Sequence, residues 1–159
     1  MNEESTDDFK LGNSAEAFFV GKQIKHATSK TIYESDNNLF CLLTMNHHPI
    51  HTNSDYAKKQ RHGKELVVGT LILSIIVGMT VPEISGKALA NLGYDNVRHL
   101  GPTFIGDTIY ARSEVLKIVS SQNGNTAVIS VRTVGYNQKS EDIMSFERDV
   151  LLPTRVKEI

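Results

Sequence analysis

Residues 66–81 read LVVGTLILSIIVGMTV, sixteen positions without a charge. A helix crossing the hydrocarbon core of a bilayer takes about 20 apolar residues, so this run is short for a membrane span. It has to bury its surface inside protein instead, as a helix covered on nearly all sides. At about 1.5 Å per residue such a helix would be about 24 Å long, with Pro82 ending it. Gly69, Ser74 and Gly78 carry little or no side chain, which lets another group approach closely. The rest of the chain has to supply the cover.

The hydrophobic period changes after Pro82. Residues 87–100, 106–121, 126–138 and 142–153 read as strands. In the second, Ile109, Ala111 and Ser113 alternate with Tyr110, Arg112 and Glu114; in the third, Ile129, Val131 and Thr133 alternate with Val128, Ser130 and Arg132. A period of two marks half-buried antiparallel strands. Asn123 followed by Gly124 is a hairpin signal, residues 137–142 form a polar connector, and Gly106 with Asp107 reads as turn chemistry. Ahead of the helix, residues 21–33 read as one strand. Ser35 or Asp36 caps a short helix carrying Leu39, Phe40, Leu42 and Leu43, and residues 52–60 form another helical piece that Gly63 punctuates. One strand before the helix and four after it make an α+β chain, a single domain whose antiparallel sheet of about five strands wraps one long central helix. Residues 1–20 read as a flexible acidic tail and residues 21–159 as the domain.

Charge excludes two classes of partner. The 17 basic and 18 acidic side chains leave a net charge of −1, no electrostatic footprint for nucleic acid or an anionic membrane. The opening MNEESTDDFK is too polar for a signal peptide. Cys41, the sole cysteine, sits in LFCLL as a packed hydrophobe and can form no internal disulfide, which fits a reducing, cytoplasmic setting.

Chemistry concentrates in TMNHHPIH, residues 44–51. Three histidines and an asparagine surround Pro49, which pushes His48 toward extended backbone. His47 and His51 have the spacing of a helical metal pair. Pro49 breaks the helix between them, however, and no cysteine or carboxylate joins the group, so no metal is expected. A solvated loop is the other structural reading, and His47 fits it. The remaining reading is proton transfer, for which histidine suits because its unperturbed pKa is about 6.5.

Several segments resemble the MaoC-like hydratase branch of the hotdog-fold proteins, which includes the (R)-specific enoyl-CoA hydratases. That family's motif runs aspartate, any residue, asparagine, proline, an aliphatic residue and histidine, then five residues and a small one. Here Pro49, Ile50, His51 and Ala57 fall in place, while Asn46 stands at the aspartate and His48 at the asparagine. VGTLILS resembles the glycine at the head of the family's central helix, RHLGPTFIGDTIYARSEV its proline and glycine-aspartate opening a strand, and VGYNQKSEDIMSF its penultimate hairpin. TMN-x-x-P-x-H preceded by ESDNNLF is most similar to the mesaconyl-CoA hydratase (methylmalyl-CoA dehydratase) branch.

The resemblance implies a hotdog domain that reversibly hydrates a 2-enoyl-CoA, of a short branched or dicarboxylic acyl group, with CoA thioester as substrate and no metal or organic cofactor. It implies a homodimer or higher homo-oligomer with the active site at the subunit interface. His51 matches the catalytic histidine. Asn46 cannot take a proton, though its amide can orient water or hold the imidazole, so Asp36 or Asp55 would have to supply any carboxylate. His48 is a second proton carrier, and the Gly69 amide at a helix N-terminus is the donor to the thioester oxygen. Val68, Arg98 and Arg61 are expected to bind substrate. Arg98 with His99, and Arg61 with Lys58 and Lys59, are cations that could meet a carboxylate or the CoA phosphates, although both groups also read as solvated surface, as does His62. Two rivals remain: an acyl-CoA thioesterase, and a non-catalytic acyl-thioester-binding protein.

Overall fold

The computed structural model describes residues 11–154. In chain order the elements are β1 (Gln23–Lys25), β2 (Lys30–Thr31), α1 (Glu34–Thr44), α2 (Pro49–Thr52), α3 (Ser54–Lys58), α4 (Gly69–Met79), β3 (Ala90–His99), β4 (Thr108–Ser120), β5 (Thr126–Tyr136) and β6 (Asp142–Pro153). The strands form one antiparallel sheet in the order β1-β4-β5-β6-β3, with β2 also beside β4. The expected α+β hotdog arrangement is therefore present, with six strands rather than about five. The additional strand arises because the segment expected as one strand over residues 21–33 is two. His26 turns into the interior, where its ring nitrogens meet Glu83 Oε2 at 2.9 Å and Ser113 Oγ at 2.8 Å. The chain then swings out through exposed Ala27, Thr28 and Ser29 before β2 rejoins β4.

The alternation read from β4 and β5 is the burial observed: Ile109, Ala111 and Ser113, and Ile129, Val131 and Thr133, all face inward. Leu71, Ile72, Ile76 and Met79 of α4 pack on Ile109, Ala111, Met144 and Phe146 of the sheet. Gly135 lets this happen, because a Cβ there would collide with Ile76. A second cluster joins Val115, Val131, Val150 and Leu152 to Ile84, Ala15 and Phe18. Between the two clusters, the inward positions of three neighbouring strands are polar: Ser113, Thr133 and Arg148. Ser113 Oγ and Thr133 Oγ1 bond at 2.8 Å, and Arg148 donates to Thr80 Oγ1 at 2.9 Å.

Two boundaries differ from expectation. Helix α4 has 11 residues, not sixteen. The amides of Leu66, Val67 and Val68 are taken sideways, by Ile50 O, Thr103 O and Asn37 Oδ1, so these residues stay extended. Beyond Thr80 the chain continues through one wide helical turn, Val81–Ser85, with Pro82 in its first positions, where a missing N–H does no harm. Nor is α4 covered all round in the single chain, since Thr70, Ser74 and Gly78 are exposed. The second boundary is the N-terminal one. Residues 1–10 lie outside the described residues, but the expected tail extended to residue 20. From Leu11 on, the chain is held: Gly12 N–H bonds Pro82 O at 3.0 Å, and Ala15 and Phe18 are buried because they are the apolar members of this segment that reach the second cluster. Among the described residues, no helix is long and apolar enough to cross a membrane.

Candidate active site

A cleft of about 480 Å³ opens at the N-terminal end of α4. Val67, Ile72, Ile143 and Met144 make its apolar walls, while His51, Gly69 and His99 face into it with Arg61 and His62.

Local sequence places His51. Pro49 begins α2, where its fixed φ suits a helix start. His48 precedes it as the N-cap, its Nδ1 accepting from Ile50 N–H at 3.2 Å. One turn later His51 is held from both ends. Its carbonyl accepts from Asn37 Nδ2 at 2.9 Å, and its ring Nδ1 lies 2.8 Å from Leu66 O. A carbonyl oxygen only accepts, so Nδ1 carries the hydrogen and Nε2 of the neutral ring keeps its lone pair. The same Asn37 takes Val68 N–H on its Oδ1 at 2.9 Å and is completely buried. One amide thus ties α2 to the segment that starts α4.

Gly69 is the first residue of α4, so its N–H has no acceptor within the helix. The ring of His99, at the end of β3, stands against it. A Cβ on residue 69 would collide with His99 Cε1 and lie 2.9 Å from Nδ1 and 3.0 Å from Nε2. Glycine is what allows imidazole and helix terminus to share the cleft.

The cleft therefore combines an imidazole with a free basic nitrogen, an unpaired backbone donor, and apolar walls. That combination can activate a water and stabilise an oxyanion. No carboxylate lines it. Asp36 is occupied by Lys30 Nζ at 2.6 Å and Tyr33 N–H at 2.9 Å, and Asp55 by Lys59 at 2.7 Å. The expected substrate and catalytic residues thus divide. His51, Gly69 and Arg61 meet in the cleft. Asn46 does not line it: it is half-buried where left-handed Met45 (φ 59°) closes α1, with its N–H on Cys41 O. His48 is exposed, its ring 6.2 Å from that of His51. Val68 is buried and its N–H is spent on Asn37. Arg98 lies outside, its Nη1 bonded to Val97 O at 2.9 Å. Among the described residues no group of three or more His, Cys, Asp or Glu is placed to hold a metal ion.

Asn37 was not legible, and His99 was read only as a cation, with Arg98, that could meet a carboxylate or the CoA phosphates. Asn37 sits in a polar stretch with a second asparagine beside it. His99 follows two shifts of register in β3, between Asn91 and Gly93 and between Asp95 and Arg98. Each shift resets the period of two, so alternation cannot say which face His99 takes.

Residues 16–137 match the family model described as MaoC-like domain. The chain is similar to mesaconyl-CoA hydratase of Cereibacter sphaeroides and to β-methylmalyl-CoA dehydratase of Chloroflexus aurantiacus, 33% identical to each over 144 residues. These matches take in 91% of this chain but 42% and 41% of the relatives, so the chain spans less than half of their length. An (R)-specific enoyl-CoA hydratase of Rhodospirillum rubrum is 28% identical, across 94% of this chain and 92% of that protein. Among solved structures, a MaoC domain protein from Chloroflexus aurantiacus superposes with a TM-score of 0.89 at 31% identity, covering 99% of this chain and 44% of that one. A Mycobacterium tuberculosis protein with a double hotdog fold superposes at 0.81 with 20% identity, across 93% of this chain and 46% of its own.

Proposed function

Because the chain belongs to the MaoC-like domain family, we propose that it reversibly adds water to a 2-enoyl-CoA thioester, forming a 3-hydroxyacyl-CoA. One observation carries the reading. His51 is clamped by Asn37 and Leu66 so that its free nitrogen serves an apolar cleft that also contains the start of α4. In the proposed reaction His51 Nε2 takes a proton from water as the oxygen attacks the β-carbon. The electron pair of the double bond moves toward the thioester oxygen, which meets the Gly69 N–H. His51 then returns a proton to the α-carbon. Arg61 lies at the same cleft and is suited to the carboxylate of a dicarboxylic acyl group or to CoA phosphate. The names of the similar hydratases favour a short, branched, dicarboxylic ester. The reaction is redox-neutral and requires neither metal nor organic cofactor, and a cytoplasmic location suits a CoA ester.

We place the working unit at two copies or more. Strand β3 is an edge of the sheet and leaves backbone groups unpaired, and the similar mesaconyl-CoA hydratase and β-methylmalyl-CoA dehydratase are more than twice as long as the matched segment.

A panel of crotonyl-, mesaconyl-, itaconyl- and longer enoyl-CoA esters tests the reading. Enoyl-thioester absorbance should fall while CoA remains esterified, and product mass should rise by one water. Release of free thiol would favour a thioesterase instead, although that chemistry ordinarily wants a carboxylate and none lines the cleft. His51→Ala should lower kcat by about 10²–10⁴, the effect of removing a positioned acid–base group. Binding without turnover, unchanged by this substitution, would leave a thioester-binding protein.

A further inference from the structure

We infer that His99 is a second donor to the thioester oxygen, acting beside the Gly69 amide. The inference rests on the hydratase reading and extends it to a residue that the family motif does not contain.

Three observations converge on His99. Its ring lines the same cleft as His51 and Gly69. It is packed so closely on the first turn of α4 that any side chain at position 69 would displace it. Neither of its ring nitrogens has a hydrogen-bond partner among the described residues. His51, by contrast, spends one nitrogen on a carbonyl and has one left for water. In the single chain His99 is exposed at the end of an edge strand. Both ring nitrogens lie at the head of α4, 2.9 and 3.0 Å from where a Cβ on Gly69 would stand, so imidazole and Gly69 serve the same end of the cleft.

The division of labour follows from the proton count. Water supplies the oxygen that bonds to the β-carbon. Its proton passes to His51 Nε2, and the double-bond pair shifts through the α-carbon to the thioester oxygen. That oxygen is then negative, and one backbone N–H leaves it half satisfied. An imidazole N–H from His99 supplies the second hydrogen bond. When the proton on His51 moves to the α-carbon, the pair returns to the carbonyl. His99 neither gains nor loses a proton; it is a donor throughout.

The test uses the whole chain with His99→Phe, which keeps a ring over Gly69 but removes the donors, and His99→Gln, which keeps a donor. With crotonyl-CoA, His99→Phe should lower kcat by about 10²-fold while KM changes by no more than about threefold, and His99→Gln should recover roughly tenfold of the loss. A kcat for His99→Phe within about threefold of the parent overturns the inference. A second readout needs no turnover: the carbonyl stretch of bound, ¹³C-labelled butyryl-CoA. A donor lowers that frequency, so the band should lie lower in the parent than in His99→Phe and be restored toward the parent by His99→Gln. Identical bands overturn the role of His99. A shifted band with no hydration of any ester would retain His99 as a thioester donor and sink the hydratase reading alone. Failure of butyryl-CoA to bind would sink both.

Discussion

Asn37 decides where His51 stands. Among the described residues its two amide atoms are the only side-chain groups joining the α2 backbone to the N–H before α4, at 2.9 Å each, with no solvent exposure. Asn37→Ala would orphan a partly buried carbonyl and a buried N–H, each worth about 1–3 kcal/mol. Urea unfolding should therefore show a loss of about 2–5 kcal/mol, and kcat should fall even where the variant remains folded. A loss of stability below about 1 kcal/mol would mean that water replaces the amide without penalty. Asn46, expected to orient water or hold the imidazole, does not line the cleft; Asn37 bonds the His51 carbonyl, and Leu66 O meets the ring. An amide bonds in any direction, and four asparagines, at 37, 38, 46 and 53, fall within seventeen residues. Only their burial separates them.

At the scale of elements, helix starts show a related displacement. Ser35 or Asp36 was the expected cap of α1. The cap is Tyr33, with Asp36 as the third helical residue reaching back to the Tyr33 N–H. The Lys30 ammonium first, and then that N–H, hold the Asp36 carboxyl below its usual range. The ion is thus favoured in the folded chain. Its contribution is complete above the ordinary aspartate value and disappears as pH falls through the lower, folded one. Denaturant midpoints measured from about pH 6 down to about pH 2 should drop less in Asp36→Asn than in the parent. The effect should be modest, since the pair is partly exposed. Equal acid sensitivity in both proteins would count against it. Contact between helix and sheet is set by a different device. Gly135→Ala would force Ile76 of α4 off β5, and overpacking of this kind destabilises by about 1–3 kcal/mol. Urea unfolding with no change in midpoint would show that α4 slides at little cost.

For the whole molecule, the open edge is the prominent feature. Leu92 and Tyr94 on β3 are 54% and 41% exposed, and Leu89 just before it is 61% exposed. An apolar, unpaired edge favours pairing with a second copy. Sedimentation equilibrium should give at least a dimer, and Leu92→Lys should shift it toward monomer. A monomeric parent at micromolar concentration would refute the proposed assembly. The strands β3 to β6 and the existence of one apolar helix were readable in the chain, because period and hydrophobicity are properties of neighbouring residues. Residues 66–68 could not be separated from α4 that way. Their composition continues the apolar run of the helix, but Ile50, Thr103 and Asn37, distant in sequence, take their hydrogen bonds. Likewise Pro49, Ile50 and His51 marked a candidate segment, which folds as the start of α2, since a proline and a histidine carry their constraints locally. Which face His99 presents was settled only by two register shifts in β3 and by the bare backbone of Gly69 across the fold. Sequence alone determined strands β3 to β6, the presence of one apolar helix and the histidine-bearing segment; tertiary structure decided the other boundaries and the neighbours of His51, because hydrogen-bond partners far apart in the chain are chosen only once the sheet and helix have packed.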